Sequence, residues 1–487
     1  MQQKQEQLHK STLQVFLITQ IACFGGFLYG YVISELTIVY DQLAIAFGVD
    51  KYQDDGVYNE ETPDSYTSKF HNLKTICTVF MPIGALVSSY IGKFIINKMG
   101  RRQYMMLSDI IMIAGCAIAM ISNLYSFLVA RFILGFAVGM NTAVVPLYVK
   151  EMSPVSISGL TGSIFQININ LGIILSICIS LGLNQVVSNS THVQGIWRLI
   201  IVFPAIFSAL RLLGLLFYSR TDTPFYYFSR GMVDQGTEVL KTIYKEEYVE
   251  EIKQTMTQTN DSEDGVQDQN QEKNTASYKR RLLVGVCIQF FCQMTGINAV
   301  IQFSNNIFGL VTSNYTTINY LTLSSNIFLM FAAFLGSSLS VKFGRKLILQ
   351  GGYLSCSILL LTFGIIAFFD VKNYVGLQVV SIIIIFIFYA CFNCSIGPVT
   401  WIFNSDIVKE EGMSYGVLSN WFGNIVSTLI NLNQLIQINF LVFGGFSTVG
   451  FLFITKFVLE TKDKTYPEIQ RLYEVNKNRE KEELLSN

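Results

Sequence analysis

The chain alternates long apolar runs with short polar connections along nearly its whole length. Each run holds about 18 or more residues with few charges, which is the length that an α-helix needs to cross a bilayer. Six runs precede a polar block at 220–281 and six follow it. The pattern predicts twelve membrane-spanning helices, at about 13–40, 75–96, 104–121, 124–149, 159–183, 199–218, 282–310, 319–341, 347–369, 375–403, 415–438 and 440–459.

The polar block divides the chain into two similar halves. Its part at 255–274 consists mainly of Gln, Asn, Asp, Glu, Thr and Ser, so we predict a short helical start followed by a disordered segment. The predicted domains are an N-terminal segment at 1–12, a six-helix bundle at 13–219, a linker with intracellular helices at 220–281, a second six-helix bundle at 282–459 and a tail at 460–487.

Lysine and arginine are concentrated in the connections on one side of the predicted membrane. Short loops that are rich in Lys and Arg stay on the cytoplasmic side. Both termini are therefore predicted to be cytoplasmic. The residues that indicate this orientation are Lys4, Lys10, Lys93, Lys98, Arg101, Arg102, Lys342, Arg345 and Lys346.

Composition and charge exclude several classes of function. Among the 487 residues, 51% are hydrophobic and only 14% are charged, with 34 basic and 34 acidic side chains. Without a basic excess, nucleic acid is excluded as a partner, whereas the lipid bilayer is an expected one. The nine cysteines fall in apolar runs, and the three histidines lie in polar segments without a thiol or carboxylate cluster. We therefore expect no metal, no cofactor and no enzymatic activity.

The two halves carry a repeated motif. The sequence Met-Gly-Arg-Arg at 99–102 follows the second run, and Phe-Gly-Arg-Lys at 343–346 follows the eighth. Two parallel six-helix halves joined by a polar insert are typical of transporters with parallel repeats, whose substrate site lies near the membrane midplane between the halves. The sequence therefore predicts a small-molecule transporter.

Further motifs, in order along the chain, resemble the sugar porter family of the major facilitator superfamily. They are Gly-Gly-Phe-Leu-Tyr-Gly-Tyr at 25–31, Arg-Phe-Ile-Leu-Gly at 131–135, Pro-Leu-Tyr-Val-Lys-Glu-Met-Ser-Pro at 146–154, Gln166, Trp-Arg at 197–198, Asp-Thr-Pro at 222–224, Gln-Met-Thr-Gly-Ile-Asn-Ala at 293–299, Gly-Pro-Val-Thr-Trp at 397–401, Asn-Trp-Phe-Gly-Asn at 420–424 and Glu-Thr-Lys at 460–462. The resemblance implies the all-α major facilitator fold, a hexose such as glucose as substrate, alternating access, and the plasma membrane as location. It implies no oligomeric state.

The resemblance also implies a set of sugar-binding residues. A sugar presents hydroxyl groups and C–H faces, so its site needs amides and an aromatic surface. An alternative for any one amide is a hydrogen bond that holds two helices together. Two family positions differ here, at Cys292 and at Gln302-Phe303, so another polyol or a pentose is an alternative substrate. The candidate residues are Gln166, Gln289, Gln293, Asn298, Asn393, Trp401 and Asn424.

The coupling of transport to protons depends on a departure from the family pattern. Proton-coupled members carry an Asp after the Gly-Tyr of the first span, and this chain has Val32 there, while the partner Arg131 is retained. Loss of the titratable group favours facilitated diffusion, or uniport. The alternative is proton symport through Glu35, one helical turn further on and able to pair with Arg131. A simpler interpretation of Glu35 is a carboxylate at the outer end of the first span that reaches water.

Charged residues at the predicted cytoplasmic ends form a candidate latch that the family uses to close this side. Several of its charged partners are replaced in this chain, so we expect a bias toward the inward-open state. A third alternative follows from such departures, namely a sugar sensor or structural membrane subunit on a transporter scaffold. The latch residues present are Arg101, Arg102, Glu151, Asp222, Arg345, Asp406 and Glu460.

Overall fold

A computed structural model describes most of the chain as α-helices. Among the described residues there is no β-strand. The described residues are 12–37, 43, 46–47, 64–121, 123–154, 157–188, 197–258, 276–369, 371–408, 410–431, 435–462, 464, 466 and 468–474. The N-terminal segment at 1–11, most of the acidic connection at 41–63 and the polar segment at 259–275 lie outside them, so the predictions for those parts remain untested.

The helices before the polar segment form an N-terminal half and a set of linker helices. The half contains α1 (Thr12–Ser34), α2 (Asp64–Met99), α3 (Arg101–Ala119), α4 (Leu124–Met152), α5 (Ser158–Ser188) and α6 (Trp197–Phe217). The linker contains α7 (Pro224–Phe228), α8 (Val233–Ile243) and α9 (Glu246–Gln258).

The helices after the polar segment form a C-terminal half in which two spans are interrupted. These are α10 (Ala276–Met294), α11 (Ile297–Gln302), α12 (Ser304–Gly309), α13 (Tyr315–Lys342), α14 (Arg345–Ile366), α15 (Val375–Cys391), α16 (Gly397–Ile407), α17 (Glu410–Ile430) and α18 (Ile436–Phe457). A 3₁₀ turn at Val371–Asn373 precedes α15, and a π-helical turn at Phe392–Ile396 joins α15 to α16.

Helix packing repeats between the two halves, as the sequence repeat predicted. In the N-terminal half α1 packs on α5 and α3 on α6, and in the C-terminal half α10 packs on α17 and α14 on α18. The halves meet mainly where α2 contacts α17 and where α5 contacts α13. We call the end at which Arg101, Arg102, Arg345 and Lys346 lie the basic end, and the other the opposite end.

Ten helices within the described residues are long and apolar enough to cross a membrane. The remaining two predicted spans correspond to α3 and α17, which carry more polar residues but pack inside their halves as the repeat requires. Several predicted boundaries are wrong, and α2, for example, begins at Asp64 rather than near residue 75. The eleventh span ends at Ile430 rather than near residue 438, and α18 begins at Ile436. At this end the Asn431 side chain donates a hydrogen bond to the Ser427 carbonyl (2.9 Å) in the last turn of α17.

Small residues allow the closest helix contacts, and Gly135 and Gly139 form a GxxxG pattern on α4. A Cβ atom at Gly135 would lie 1.9 Å from the Met81 carbonyl oxygen, so α4 and α2 touch along their backbones. A Cβ atom at Gly30 would lie 1.8 Å from the Ile169 carbonyl oxygen, which brings α1 equally close to α5. Helices in this kind of contact have little freedom to rotate.

Both interrupted spans lie beside the centre of the molecule. Gly296 separates α10 from α11 with a φ of 76°, a left-handed conformation that favours glycine. The tenth span is interrupted just before Gly397-Pro398. The π-helical turn ends at Ile396, and Pro398 lies in the first turn of α16.

Candidate substrate site

A cavity of about 40 Å³ lies between the two halves near their centre. Such a volume holds about three water molecules, so the surrounding helices must move apart to admit a sugar ring. Isoleucines of α5 and α11, Leu329 and Phe392 form its apolar surface. The polar and aromatic lining residues are Tyr29, Gln166, Asn170, Cys292, Gln293, Asn298, Asn393 and Trp401.

One wall of the cavity carries three amides that contact one another. Asn393, in the π-helical turn, accepts at Oδ1 from Asn170 Nδ2 (3.1 Å) and from Gln166 Nε2 (3.4 Å). Gln166 Nε2 also lies 3.4 Å from Asn170 Oδ1. This group, which we call the α5 wall, joins a helix of the N-terminal half to the interrupted tenth span.

The facing wall is centred on Gln293 at the end of α10. Its Oε1 atom accepts from Asn298 Nδ2 (2.7 Å) and Asn424 Nδ2 (3.4 Å), and its Nε2 atom donates to Asn420 Oδ1 (3.0 Å). Asn298 Nδ2 also lies 3.4 Å from the Tyr29 hydroxyl of the N-terminal half. We call this group the α10 wall.

Trp401 supplies an aromatic surface between the two walls. The side chain is 7% exposed, and its ring packs edge-on against Phe165 with 6.0 Å between centroids. Phe165 lies on α5, so this contact also crosses from one half to the other. Two amide walls and an aromatic surface match the hydroxyl groups and C–H faces of a sugar.

A family model described as "Sugar (and other) transporter" matches residues 18–473. The chain belongs to this family of sugar transporters. Members of the family are transporters and not enzymes, and they belong to the major facilitator superfamily.

Individual relatives and solved structures agree with this membership. The chain is 29% identical to "Hexose transporter 1" of Plasmodium knowlesi, over 91% of this chain and 89% of the relative. It is 27% identical to "Sugar transport protein 8" of Arabidopsis thaliana (93% and 90%) and 25% identical to "Solute carrier family 2, facilitated glucose transporter member 3" of Canis lupus familiaris (96% and 93%).

The fold is that of solved xylose transporters of the superfamily. A proton:xylose symporter, XylE, bound to 6-bromo-6-deoxy-D-glucose aligns with a TM-score of 0.81 at 20% identity, over 95% of this chain and 100% of that one. A partially occluded, inward-open form of XylE from E. coli aligns with a TM-score of 0.72 at 21% identity, over 93% and 100%. These alignments establish the major facilitator fold for this sugar transporter.

Five of the seven candidate sugar-binding residues line the cavity of the transporter, namely Gln166, Gln293, Asn298, Asn393 and Trp401. Gln289 and Asn424 are fully buried and lie behind Gln293 instead. Asn424 donates to Gln293, and Gln289 Oε1 accepts from Asn420 Nδ2 (2.8 Å). They support the α10 wall without being among its lining residues.

Two lining residues, Tyr29 and Asn170, are additions to the predicted set. A signal for Asn170 is present in the sequence, because it follows Gln166 by four residues and so shares its face of α5. Tyr29 lies within the glycine-rich motif of the first span, and this motif alone does not indicate that the hydroxyl group reaches the cavity. Its hydroxyl group becomes relevant only because α1 packs next to α11.

Glu35 and Arg131 form a buried ion pair near the opposite end of the transporter. Arg131 Nη1 lies 2.5 Å from Glu35 Oε1, and the two side chains are 2% and 0% exposed. Arg131 also donates to the carbonyl groups of Val32 (3.1 Å) and Cys77 (3.3 Å). The expectation that Glu35 reaches water is therefore wrong, because the helix end that carries it is covered by neighbouring spans.

The candidate latch residues form two similar clusters, one within each half. In the N-terminal half Arg101 pairs with Glu151 (2.9 Å), and Asp222 accepts from the backbone N–H groups of Arg101 (3.1 Å) and Arg102 (3.0 Å). Burial raises the pKa of the Asp222 carboxyl group above its usual value, although these N–H groups and that of Thr223 act against the shift.

The C-terminal cluster repeats this arrangement. Glu460 accepts from the backbone N–H groups of Arg345 (2.8 Å) and Lys346 (3.1 Å), and Arg345 lies 3.8 Å from Asp406. In both clusters a carboxylate binds the positive end of a helix, α3 or α14. The described contacts of these residues therefore stabilise each half, and their role in closing the basic end remains a prediction.

Two lysines make polar contacts between the halves, one at each end. At the basic end, Lys150 of α4 donates to the carbonyl oxygen of Ser405 in the last turn of α16, next to Asp406. At the opposite end, Lys74 of α2 donates to Asn306 Oδ1 (3.1 Å), and its ammonium group lies 5.1 Å from the centre of the Phe303 ring. Because the two halves contact each other at both ends, the structure differs from the expected inward-open state.

Proposed function

We propose that this protein transports a monosaccharide, a hexose such as glucose, by alternating access as a uniporter. The observation that carries the proposal is the central cavity, whose two amide walls come from both halves and flank Trp401. A sugar bound there replaces the amide–amide hydrogen bonds with hydroxyl contacts to each half. The relatives named as hexose and facilitated glucose transporters support the same substrate class.

In this proposal the bundles at 13–219 and 282–459 are the moving halves, and the interrupted spans beside the cavity act as gates. Gly296 and the π-helical turn lie next to Asn298 and Asn393, so sugar contacts are made by the segments that can bend. The basic end faces the cytoplasm, and the plasma membrane is the proposed location. Contacts at both ends of the cavity correspond to an occluded intermediate.

Counterflow of labelled glucose in liposomes tests the uniporter. We expect saturable exchange that is competed by unlabelled hexoses and is unaffected by a pH gradient. Gln166→Ala should raise the sugar concentration that gives half-maximal exchange about tenfold, because it removes contacts from the α5 wall. Fructose, xylose and inositol as competitors define the substrate class.

Asn168→Ala is the matched control for this variant. Asn168 is a buried amide on the same helix, but it contacts Gln20 (3.1 Å) and does not line the cavity. Equal losses of exchange in both variants would show that the effect of Gln166→Ala does not depend on the cavity. No exchange of any sugar by well-folded wild-type protein would refute transport and favour the sensor or structural subunit.

Proton-coupled symport is a second candidate, favoured by the buried pair of Glu35 and Arg131. The second carboxylate oxygen of Glu35 has no hydrogen-bond partner among the described residues, so the group can take up a proton without breaking its contact to Arg131. A carboxylate in a membrane interior that pairs with one arginine is a common element of proton relays.

Vesicles that are acidic on the side of the opposite end distinguish the two candidates. Under symport the wild type accumulates sugar against its gradient, and Glu35→Gln loses accumulation but keeps counterflow. Under uniport neither protein accumulates sugar, whatever exchange rate Glu35→Gln retains once Arg131 is buried without its counter-charge. Glu238→Gln, an exposed change in the linker, is the control for nonspecific effects.

A further inference from the structure

We propose that Asn170 is a specificity-determining residue whose carboxamide group binds one ring hydroxyl group of the sugar. The proposal rests on the proposed function, since it concerns how the same cavity distinguishes one sugar from another. Neither the motifs of the chain nor the cavity contacts of Gln166 require an amide at this position.

The position of Asn170 makes direct contact with a ligand possible. The side chain is 1% exposed, lines the cavity and lies one helical turn from Gln166 on α5. The helix is held tightly against α1 through the close approach at Gly30, so the amide has a fixed place in the wall. It faces Asn393 in the π-helical turn, which belongs to the other half.

The hydrogen bonds of Asn170 are ones that a ligand can replace. A carboxamide group can donate two hydrogen bonds and accept two. Asn170 donates one to Asn393 (3.1 Å) and accepts one from Gln166 at 3.4 Å, near the upper limit for a hydrogen bond. A hydroxyl group that both donates and accepts fits such an amide, and the cavity must widen at this place when a sugar enters.

The chemistry of the remaining lining makes this contact selective. Cys292 lines the cavity where the resembled family has an amide, and a thiol is only a weak donor and acceptor. Leu329 adds no polar atom. The α5 wall lines the cavity with three amides and the α10 wall with two amides and the Tyr29 hydroxyl group, so few polar groups are available to replace a contact with Asn170.

A series of monodeoxy analogues of the transported hexose tests this contact. Binding is measured by competition in counterflow and by the ligand-induced rise in melting temperature of the purified protein. One analogue should bind the wild type about tenfold more weakly than the parent sugar does. That analogue lacks the hydroxyl group that Asn170 binds, so Asn170 is left without a partner. In Asn170→Leu the parent sugar and that analogue should bind within about twofold of each other.

Asn168→Leu is the matched control, the same substitution two residues away on α5 and outside the cavity. It should keep the wild-type difference between parent and analogue. If Asn170→Leu weakens all analogues in parallel and keeps that difference, Asn170 only positions Asn393 and the proposal is overturned. Asn170→Ser, which keeps a hydroxyl group, provides the same comparison if the leucine variant does not fold.

The outcome that refutes transport looks different. If the wild-type protein binds no sugar in either assay, both the proposed function and this inference are refuted. If the wild type binds sugar and Asn170→Leu loses affinity for the parent sugar and all analogues in parallel, only this inference is refuted.

Discussion

Replacing Arg211 by methionine should lower the free energy of unfolding by about 3–5 kcal/mol, because it leaves Asp109 buried without its partner. Arg211 Nε lies 2.9 and 3.0 Å from the two carboxylate oxygens of Asp109, and Nη2 lies 2.7 Å from one of them. Both side chains are 0% exposed. The pair joins α6 to α3, and Arg211 also donates to Ser108 Oγ (2.9 Å).

A third helix depends on the same arginine. A Cβ atom at Gly25 would lie 2.2 Å from Arg211 Nη1, so α1 packs directly on the guanidinium group. Loss of the arginine therefore leaves both an unpaired carboxylate and a gap beside α1. The expected result is a protein that unfolds at a much lower temperature in detergent.

Thermal unfolding in detergent, followed by size-exclusion chromatography, measures this effect. The double variant Asp109→Leu with Arg211→Met should recover most of the lost stability, since removing both charges ends the desolvation cost. Arg220→Met, an exposed change just after α6, is the control. A single variant as stable as wild type, or a double variant no better than the single one, would contradict the prediction.

Substitution of the two inter-half lysines should shift the transporter in opposite directions. Lys150→Met removes a charged donor at the basic end, so that end should open about tenfold more often. Lys74→Met removes the contacts to Asn306 and Phe303, so the opposite end should open more often by a similar factor. A hydrogen bond to a charged group contributes about 1.5–3 kcal/mol and a cation–π contact about 0.5–1 kcal/mol, where 1.4 kcal/mol is tenfold.

The chain contains its own reporter of these openings. Cys292 lines the cavity and is 3% exposed, so a thiol reagent that cannot cross the membrane reaches it only through an open end. The rate of modification from each side of oriented vesicles is the measurement, and Cys292→Ser provides the background from the other cysteines. Lys241→Met, an exposed lysine of the linker, is the control.

For the lysine variants, the direction of change is the critical result. The prediction requires faster modification from the basic end in Lys150→Met and from the opposite end in Lys74→Met. Changes of the same sign in both variants, or none beyond that of Lys241→Met, would show that these contacts do not control access.

Much of the fold could be predicted from the sequence because most spans are long apolar runs that composition alone identifies. The interrupted spans were also predictable, since Gly397-Pro398 cannot continue a regular helix without a local change. The end of the eleventh span was not, because Asn431 lies within a run that remains apolar on average.

The site was predictable only as far as motifs name its residues. Gln166 and Trp401 belong to motifs, whereas Asn170 becomes meaningful when the π-helical turn brings Asn393 opposite it. The pair of Asp109 and Arg211 lies in two apolar runs 102 residues apart, and only the packing of α3 on α6 brings them together. Burial of Glu35 likewise depends on spans that are distant in sequence.

The π-helical turn at Phe392–Ile396 holds one residue more than an α turn. One residue corresponds to about 100° of rotation along a helix, and the π turn absorbs that residue locally, so the helices on either side of it keep their register. Loss of a single residue in this segment would let the turn become α-helical while Trp401 keeps its direction, so the widened backbone beside Asn393 would be lost and the aromatic surface retained. Over evolutionary time, this segment can therefore gain or lose one residue more readily than the regular helices that line the cavity.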